Sequence, residues 1–330
     1  MRVFIVGRTE ILYDTALLLS EHFTICGIIT AAASPEYARK EEDFESLSKK
    51  FNCPFRVANS INADLNKFIE ETKPDIGVSI NWVSVIKEDT IRLFKHGILN
   101  SHPGDLPGYR GNAIFNWAMV RHEPEIVLSV HKMEAGELDS GNIAMKKRFP
   151  INDSTTVKEL VEIWNKETPG MFLEVLQQIE AGTLEEIEQN SLGQRSFRCY
   201  PRLPIDSKID WSATAKDIHA LIRASTKPYS GAYSFLKVGD EIKKLYIWES
   251  RIVADQTDDV GTPGHILLND RKTGESYIMT GEGVLAIKSV QYDGDEIFMP
   301  GNAWKSIRMR LGIDIESELI NLYNRINRIT

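Results

Sequence analysis

The stretch GILNSHPGDLPGYRGNAIFNW, residues 97–117, holds the densest cluster of unusual residues in the chain. It opens as a short apolar strand, Gly97 to Asn100, and runs into a loop punctuated by Pro103-Gly104, Pro107-Gly108 and Gly111. Such a loop is rigid and lets a ligand lie close against backbone groups. Asn100 and His102 are two apart, so while the chain stays extended both side chains project to the same face. An amide donor and an imidazole then share one pocket. A second loop, AGELDSGN at residues 135–142, sets Asp139 in a Gly-bounded turn between two strand candidates. A carboxylate brought beside His102 would raise the imidazole pKa and fix its tautomer.

Outward from this cluster, the first two hundred residues alternate short apolar runs with longer amphipathic ones. Strands are predicted at Arg2–Val6, Phe23–Thr30, Pro54–Val57, Ile76–Ile80 and Gly97–Asn100, with helices at about 10–21, 36–51, 60–72 and 87–95. Strands spaced by helices indicate βαβ units and a Rossmann-like parallel sheet, an α/β fold whose ligands collect beyond the carboxyl ends of the strands. Two further strands are expected at Glu125–Met133 and Asn142–Ile151. An amphipathic helix from near Thr155, with the seam Val157, Leu160, Val161 and Trp164, is expected to be kinked or divided at Pro169-Gly170 before stopping at Gly182. The segment QNSLGQRSFRCYPRLP reads as a crossing linker, which places a domain boundary near Pro204: residues 1–204 form one domain with its linker and 205–330 a second. In the second, Ser212 is a good N-cap for a helix carrying Ile218, Leu221 and Ile222. Short strands at about 232–237, 243–248, 264–268, 276–280 and 284–290 fit a small β-barrel-like domain, closed by helical segments from about 302 and 314.

Composition narrows the function classes. The chain has 330 residues, 42% hydrophobic and 26% charged, which is ordinary for a globular protein. Lys plus Arg is 39 against 47 for Asp plus Glu, a formal net charge of −8. A nucleic-acid binder would carry a basic face, so nucleic acid is disfavoured as a partner. The start MRVFIVG lacks a signal-peptide pattern and no run reaches the roughly 18 apolar residues of a membrane span, so a cytoplasmic protein with no membrane partner is expected. Cys26, Cys53 and Cys199 are odd in number and scattered, suggesting neither disulfides nor zinc. Gly7 is followed by Arg-Thr-Glu, giving no dinucleotide fingerprint and no P-loop, and no metal motif is present.

Asn100, His102, the loop DLPGYRG (105–111) and LDSG (138–141) together resemble the signature of the folate-dependent formyltransferases. RCYPRLPIDSKIDWS and IRASTKPYSGAYSFL, within residues 198–236, are similar to the linker and the start of the carboxyl-terminal, OB-like domain of the tRNA-acting and amino-sugar members. The separation of 139 − 100 = 39 residues is one longer than the family's usual spacing, which fits one extra residue in AGELD. The resemblance implies transfer of a formyl group from 10-formyltetrahydrofolate to a primary amine, with no metal. It assigns Asn100 to hydrogen-bonding the developing oxyanion, His102 to the amine proton, and Asp139 to orienting His102. It further implies a pterin pocket around Ser84, Val85 and Ile86, with Gly136 and Leu138 on its other side and Asn112 where the amino-sugar member carries Arg.

For the acceptor, the resemblance and the acidic charge favour a dTDP- or UDP-linked 4-amino sugar used in surface polysaccharides such as lipopolysaccharide or O-antigen. Arg8 and Thr9 are then candidates for its pyrophosphate, and Tyr109 and Arg110 for its sugar. Methionyl-tRNA formyltransferase and a formyltetrahydrofolate hydrolase are the alternatives, and a homodimer is an open expectation.

Overall fold

The computed structural model describes residues 1–35, 37–239, 241–253 and 258–327. The elements in chain order are β1 (Arg2–Gly7), α1 (Glu10–Ser20), β2 (Thr24–Thr30), α2 (Glu41–Phe51), β3 (Phe55–Val57), α3 (Ala63–Thr72), β4 (Ile76–Ile80), α4 (Glu88–Ile91), β5 (Ile98–His102), β6 (Tyr109–Gly111), α5 (Ile114–Val120), β7 (Glu125–Lys132), β8 (Ile143–Pro150) and α6 (Val157–Ala181). They continue as β9 (Phe197–Cys199), α7 (Ala215–Ser225), β10 (Ala232–Val238), β11 (Glu241–Val253), β12 (Ile266–Asn269), β13 (Ser276–Met279), β14 (Val284–Tyr292), β15 (Ile297–Phe298), α8 (Pro300–Ala303) and α9 (Ile315–Ile326).

Seven strands form one sheet in the order β3-β2-β1-β4-β5-β7-β8. The first five are mutually parallel, while β7 joins β5 and β8 joins β7 antiparallel. β1 and β4 read as unbroken apolar runs because both faces are covered: Val3 to Val6, Ile76, Val78 and Ile80 are all 0% exposed. Each such side chain contributes roughly 1.5–3 kcal/mol by leaving water. On one face Phe4 meets Phe68 and Phe94 edge-on at 6.2 and 6.0 Å, beside Val6, Ile29, Ile69 and Ile98.

Several boundaries moved for identifiable reasons. α2 starts at Glu41, not near 36, because the Asp43 carboxylate accepts the Lys40 N–H at 2.8 Å and pins the first turn there; residue 36 itself lies outside the described residues. The segment at 87–95 holds only the short α4, followed by turns. Pro169 does not divide α6, which runs unbroken for 25 residues. The buried seam Val157, Leu160, Met171, Phe172, Val175 and Leu176 outweighs the roughly 3 kcal/mol that an interior proline costs. Ser212 is not the cap of α7: its N–H and hydroxyl bond Asp210, and Thr214 Oγ1 accepts the Asp217 N–H instead.

The second sheet is antiparallel and curled, β10-β11-β14-β13-β12 with β15 on β14. β11 shifts register between Ile247 and Ser250, a bulge that lets one long strand leave β10 and continue along β14. Trp211 and Trp304 lie in the core of this sheet with Ile218, Ile222 and Leu236, and Trp248 is also buried.

Two compact units result. One comprises Met1–Phe115, Pro124–Ile151 and Glu159–Pro201; the other comprises Arg202–Thr330 together with Asn116–Glu123 and Asn152–Lys158. The two early segments are tied into the second unit by Asn116 donating to the Ala224 carbonyl and by Arg223 donating to the Asn152 and Thr155 carbonyls. Among the described residues no helix is long and apolar enough to cross a membrane. Cys26 and Cys53 are free thiols.

Candidate active site

β5 extends two residues beyond its predicted end, through His102, and this extension builds the site. With the chain extended, Asn100 and His102 share one face of the sheet. The antiparallel register sets His131 opposite Asn100 and Ser129 opposite His102, adding two more polar side chains to that face. Ser129 donates to the Gly104 carbonyl at 2.7 Å and so anchors the loop that follows. At Gly104 a Cβ would stand 2.3 Å from the Tyr109 carbonyl oxygen and 2.6 Å from His102 Nε2. Only glycine lets the loop close over the imidazole.

The loop between β7 and β8 brings Asp139 to the same place. Its Oδ2 accepts the Gly111 N–H at 2.9 Å, and its two oxygens lie 3.6 Å from His102 Nδ1 and 3.6 Å from His131 Nε2. His102, His131 and Asp139 are 4%, 2% and 8% exposed, while Asn100 is half-buried and reachable. Asp139 holds a φ of 56°, a left-handed conformation that a non-glycine residue rarely adopts and that tends to mark functional positions.

The proton positions follow from the partners. His102 Nε2 is 2.5 Å from the Tyr109 carbonyl, which only accepts, so Nε2 carries the hydrogen and the neutral ring takes a further proton only at Nδ1, the edge facing Asp139. His131 Nδ1 is 2.8 Å from the Lys132 carbonyl and carries the hydrogen for the same reason. Its Nε2 then accepts the Asn100 amide N–H at 3.2 Å, which fixes the orientation of that amide.

Two expectations about His102 are corrected here. The tautomer is set by the Tyr109 carbonyl, since at 3.6 Å Asp139 is a charge neighbour beyond hydrogen-bond range. The His102 pKa is lowered, because burial disfavours the cation by more than Asp139 and the Tyr109 carbonyl favour it. Burial also works against the Asp139 carboxylate, yet the His102 and His131 rings and the Gly111 N–H together bring its pKa down to about 2.

The other predicted residues fall in distinct surroundings. The Tyr109 ring is buried edge-on against Phe197 at 4.7 Å. Arg110 donates to Glu137 at 2.6 Å and to Gln189 at 2.9 Å. Arg8 donates to the Ala32 and Asn81 carbonyls and lies over the Tyr37 ring. Thr9, at φ 89°, precedes α1 without capping it. Ile86 is core, Val85 and Leu138 are 76% and 49% exposed, and Gly136 and Asn112 are exposed.

The hydroxyls of Thr9, Ser79 and Ser84 and Nε1 of Trp82 are buried without a hydrogen-bond partner. All four follow or end β1 and β4, the adjacent strands from which the chain order runs in opposite directions across the sheet. That is where ligands bind in open α/β sheets, and unpaired polar atoms there suit a polar ligand.

Two residues escaped the sequence reading as site members. His131 carried only a weak signal, a histidine within the expected strand Glu125–Met133, and neither the placement of that strand beside β5 nor its register was legible. Gln189 carried none: it lies in an aperiodic linker, and in the structure it is 2% exposed and donates to the Asp139 and Gly141 carbonyls.

Comparison with known proteins adds the following. Residues 3–176 match the family described as formyl transferase, and residues 204–308 match the formyl transferase C-terminal domain. The bifunctional polymyxin resistance protein ArnA of Wigglesworthia glossinidia brevipalpis is 30% identical over 272 residues, which cover 81% of this chain and 40% of that protein. The chain thus spans about two fifths of that relative's length. Methionyl-tRNA formyltransferase of Clostridium novyi (strain NT) is 26% identical over 333 residues, 97% of this chain and 100% of that enzyme. An N-formyltransferase from Helicobacter canadensis, solved with folinic acid and dTDP-3-aminofucose, superposes with a TM-score of 0.63 at 20% identity, over 88% of this chain and 98% of that one. At that identity the likeness is one of fold.

Proposed function

The chain belongs to the formyl transferase family, and from that membership we propose that it moves a formyl group from 10-formyltetrahydrofolate to the amine of a nucleoside-diphosphate-linked amino-deoxy sugar. We assign the chemistry to residues 1–204 and leave 205–330 as the supporting carboxyl-terminal domain. The observation that carries the reading is the convergence of Asn100, His102 and Asp139 at the end of β5, one amide donor and one proton acceptor beside a carboxylate. The acidic balance of the whole chain, 39 basic against 47 acidic side chains, supports a small acceptor over tRNA, whose phosphates call for a basic face. The dTDP-sugar bound by the Helicobacter enzyme supports the same class.

The folate derivative supplies the formyl carbon. Ser84, Val85 and Ile86 on one side and Gly136 and Leu138 on the other are the residues we assign to it. The unpaired Ser84 hydroxyl and the exposed apolar Val85 and Leu138 fit a ring that is apolar on its faces and polar at its edge. When the acceptor amine adds, the formyl oxygen gains negative charge. Asn100, with one amide N–H held by His131, has its second N–H for that oxygen, a contact worth about 2.7–4 kcal/mol in comparable sites. The amine nitrogen must lose a proton as its bond to carbon forms. His102 accepts it at Nδ1, beside the Asp139 charge that stabilises the cation, and returns it as the bond from carbon to the folate nitrogen breaks.

The test is release of tetrahydrofolate from 10-formyltetrahydrofolate with dTDP-, UDP- and GDP-linked amino sugars, initiator methionyl-tRNA, and no acceptor. Turnover with an amino sugar alone supports the reading. Turnover with only the tRNA refutes it in favour of a methionyl-tRNA formyltransferase, and release without an acceptor refutes it in favour of a hydrolase.

A further inference from the structure

We propose that Gln189, which takes no part in the chemistry above, is a positioning residue that sets the catalytic geometry of Asp139 by clamping the loop that carries it. The inference rests on the proposed role of Asp139. Three bonds converge on this one amide: Nε2 donates to the Asp139 carbonyl at 2.8 Å and to the Gly141 carbonyl at 2.7 Å, and Oε1 accepts from Arg110 at 2.9 Å. Gln189 is 2% exposed, and its two bonds to the loop carbonyls are made out of water, where a lost partner is costly.

The clamp acts where the loop most needs one. Asp139 is held at φ 56°, and the loop ends at Gly141, where a Cβ would stand 2.1 Å from the Lys132 carbonyl oxygen. Bonds to the carbonyls of residues 139 and 141 hold the peptide that follows the left-handed residue and the peptide that leaves the loop at Gly141, so the chain is fixed on the C-terminal side of Asp139. Through Arg110 the same amide reaches the strand whose Gly111 N–H holds the Asp139 carboxylate. Tyr109, one residue before Arg110, supplies the carbonyl that sets the His102 tautomer. Gln189 therefore couples the loop bearing the carboxylate to the loop that orients the imidazole.

Gln189 is itself fixed by its neighbours in sequence. Ile187 exchanges two 2.9 Å backbone hydrogen bonds with Ile143, just past the Asp139 loop, and Phe197 to Cys199 pair with Tyr109 to Gly111. The segment between the two family matches, residues 177–203, thus braces the site from behind.

The test uses Gln189→Met, which keeps volume and removes all three bonds, and Gln189→Glu, which keeps an acceptor for Arg110 but cannot donate to the two carbonyls. Histidine-ring NMR of the full chain reads the His102 titration without any acceptor, with Asp139→Asn as the reference. The expected result is that folded Gln189→Met, which adds no charge, moves the His102 midpoint in the same direction as Asp139→Asn, while Gln189→Glu, whose new charge acts on the ring in the opposite sense, is read by kcat and by any departure of its titration from wild type. With the acceptor that turns over, kcat should drop by about 100-fold, the loss that a misplacement near 1 Å brings, while KM stays. Should the Met variant fail to fold, the Glu variant answers alone. A wild-type His102 titration and wild-type kcat in folded Gln189→Glu overturn the inference while leaving the active-site reading intact. A wild-type titration in Asp139→Asn would instead overturn the active-site reading, and the inference with it.

Discussion

Replacing Asp139 by Asn isolates the charge from everything else the residue does. Asn is nearly isosteric and tolerates the φ of 56° held at this position. It still offers an oxygen to the Gly111 N–H, and the two Gln189 bonds go to backbone carbonyls that the substitution leaves in place. What disappears is a negative charge 3.6 Å from His102 Nδ1. At an effective dielectric near 20, unit charges that far apart attract by about 4–5 kcal/mol. The amide dipole and relaxation of the pocket recover part of this, so kcat is expected to fall about 30- to 100-fold, equivalent to about 2–3 kcal/mol. The assay is tetrahydrofolate release at saturating acceptor, followed across pH. Because Asp139 is one of the groups that raise the His102 pKa, removing its charge lowers that pKa further, and the acid limb of the profile should move to lower pH. Stability follows the same linkage. A pKa of about 2 against the usual 3.8 means Asp139 stabilises the fold fully above its unfolded value and loses that contribution as pH falls toward 2. At pH 7 the Asn variant is therefore expected to be less stable by about 2 kcal/mol, a drop of a few degrees in Tm. A variant with wild-type kcat and an unmoved acid limb would refute the reasoning.

The wild-type acid limb should itself lie below the ordinary histidine value near 6.5, since burial depresses the His102 pKa; a profile that starts to fall above pH 7 would count against His102 as the base. The buried, neutral His102 and His219 also predict that thermal stability declines as pH falls through and below 6.5, because the unfolded rings take up protons that the folded ones resist; equal Tm at pH 5 and pH 7 would contradict this. Gly104→Ala should reduce kcat by at least about 100-fold by driving the loop off the imidazole, read by turnover beside a circular-dichroism check that the fold is kept.

The parallel half of the sheet was legible because its physics is local. Buried strands such as Ile76–Ile80 read as unbroken apolar runs, and the helices between them show 3.6-residue periodicity. What was not legible depended on partners distant in sequence. β6 and β9 are three residues each and exist only because Tyr109–Gly111 and Phe197–Cys199 meet, so neither carries a pattern of its own. The intact α6 shows the opposite limit, where tertiary burial overrides a local breaker. Asn100, His102 and Asp139, singled out by the motifs around them, come together in the folded chain. His131 required the register of β5 on β7, in which a slip by one residue would turn it to the other face.

The same distinction explains why the direction of the His102 pKa was misread. From sequence, a carboxylate and an imidazole meet as a pair, and the attraction between them is the only effect in view. In the folded chain the ring is closed in by the Gly104 loop, so desolvation acts on all of it while Asp139 acts across 3.6 Å without a hydrogen bond. Burial therefore wins, and the ring rests neutral with its one bare nitrogen turned to the carboxylate. That arrangement is unfavourable at rest and becomes favourable at the moment a proton arrives, because the cation then forms beside a charge already in place. A charge that acts mainly on the protonated ring stabilises the transition state more than the resting site, which is what a proton acceptor for an attacking amine requires.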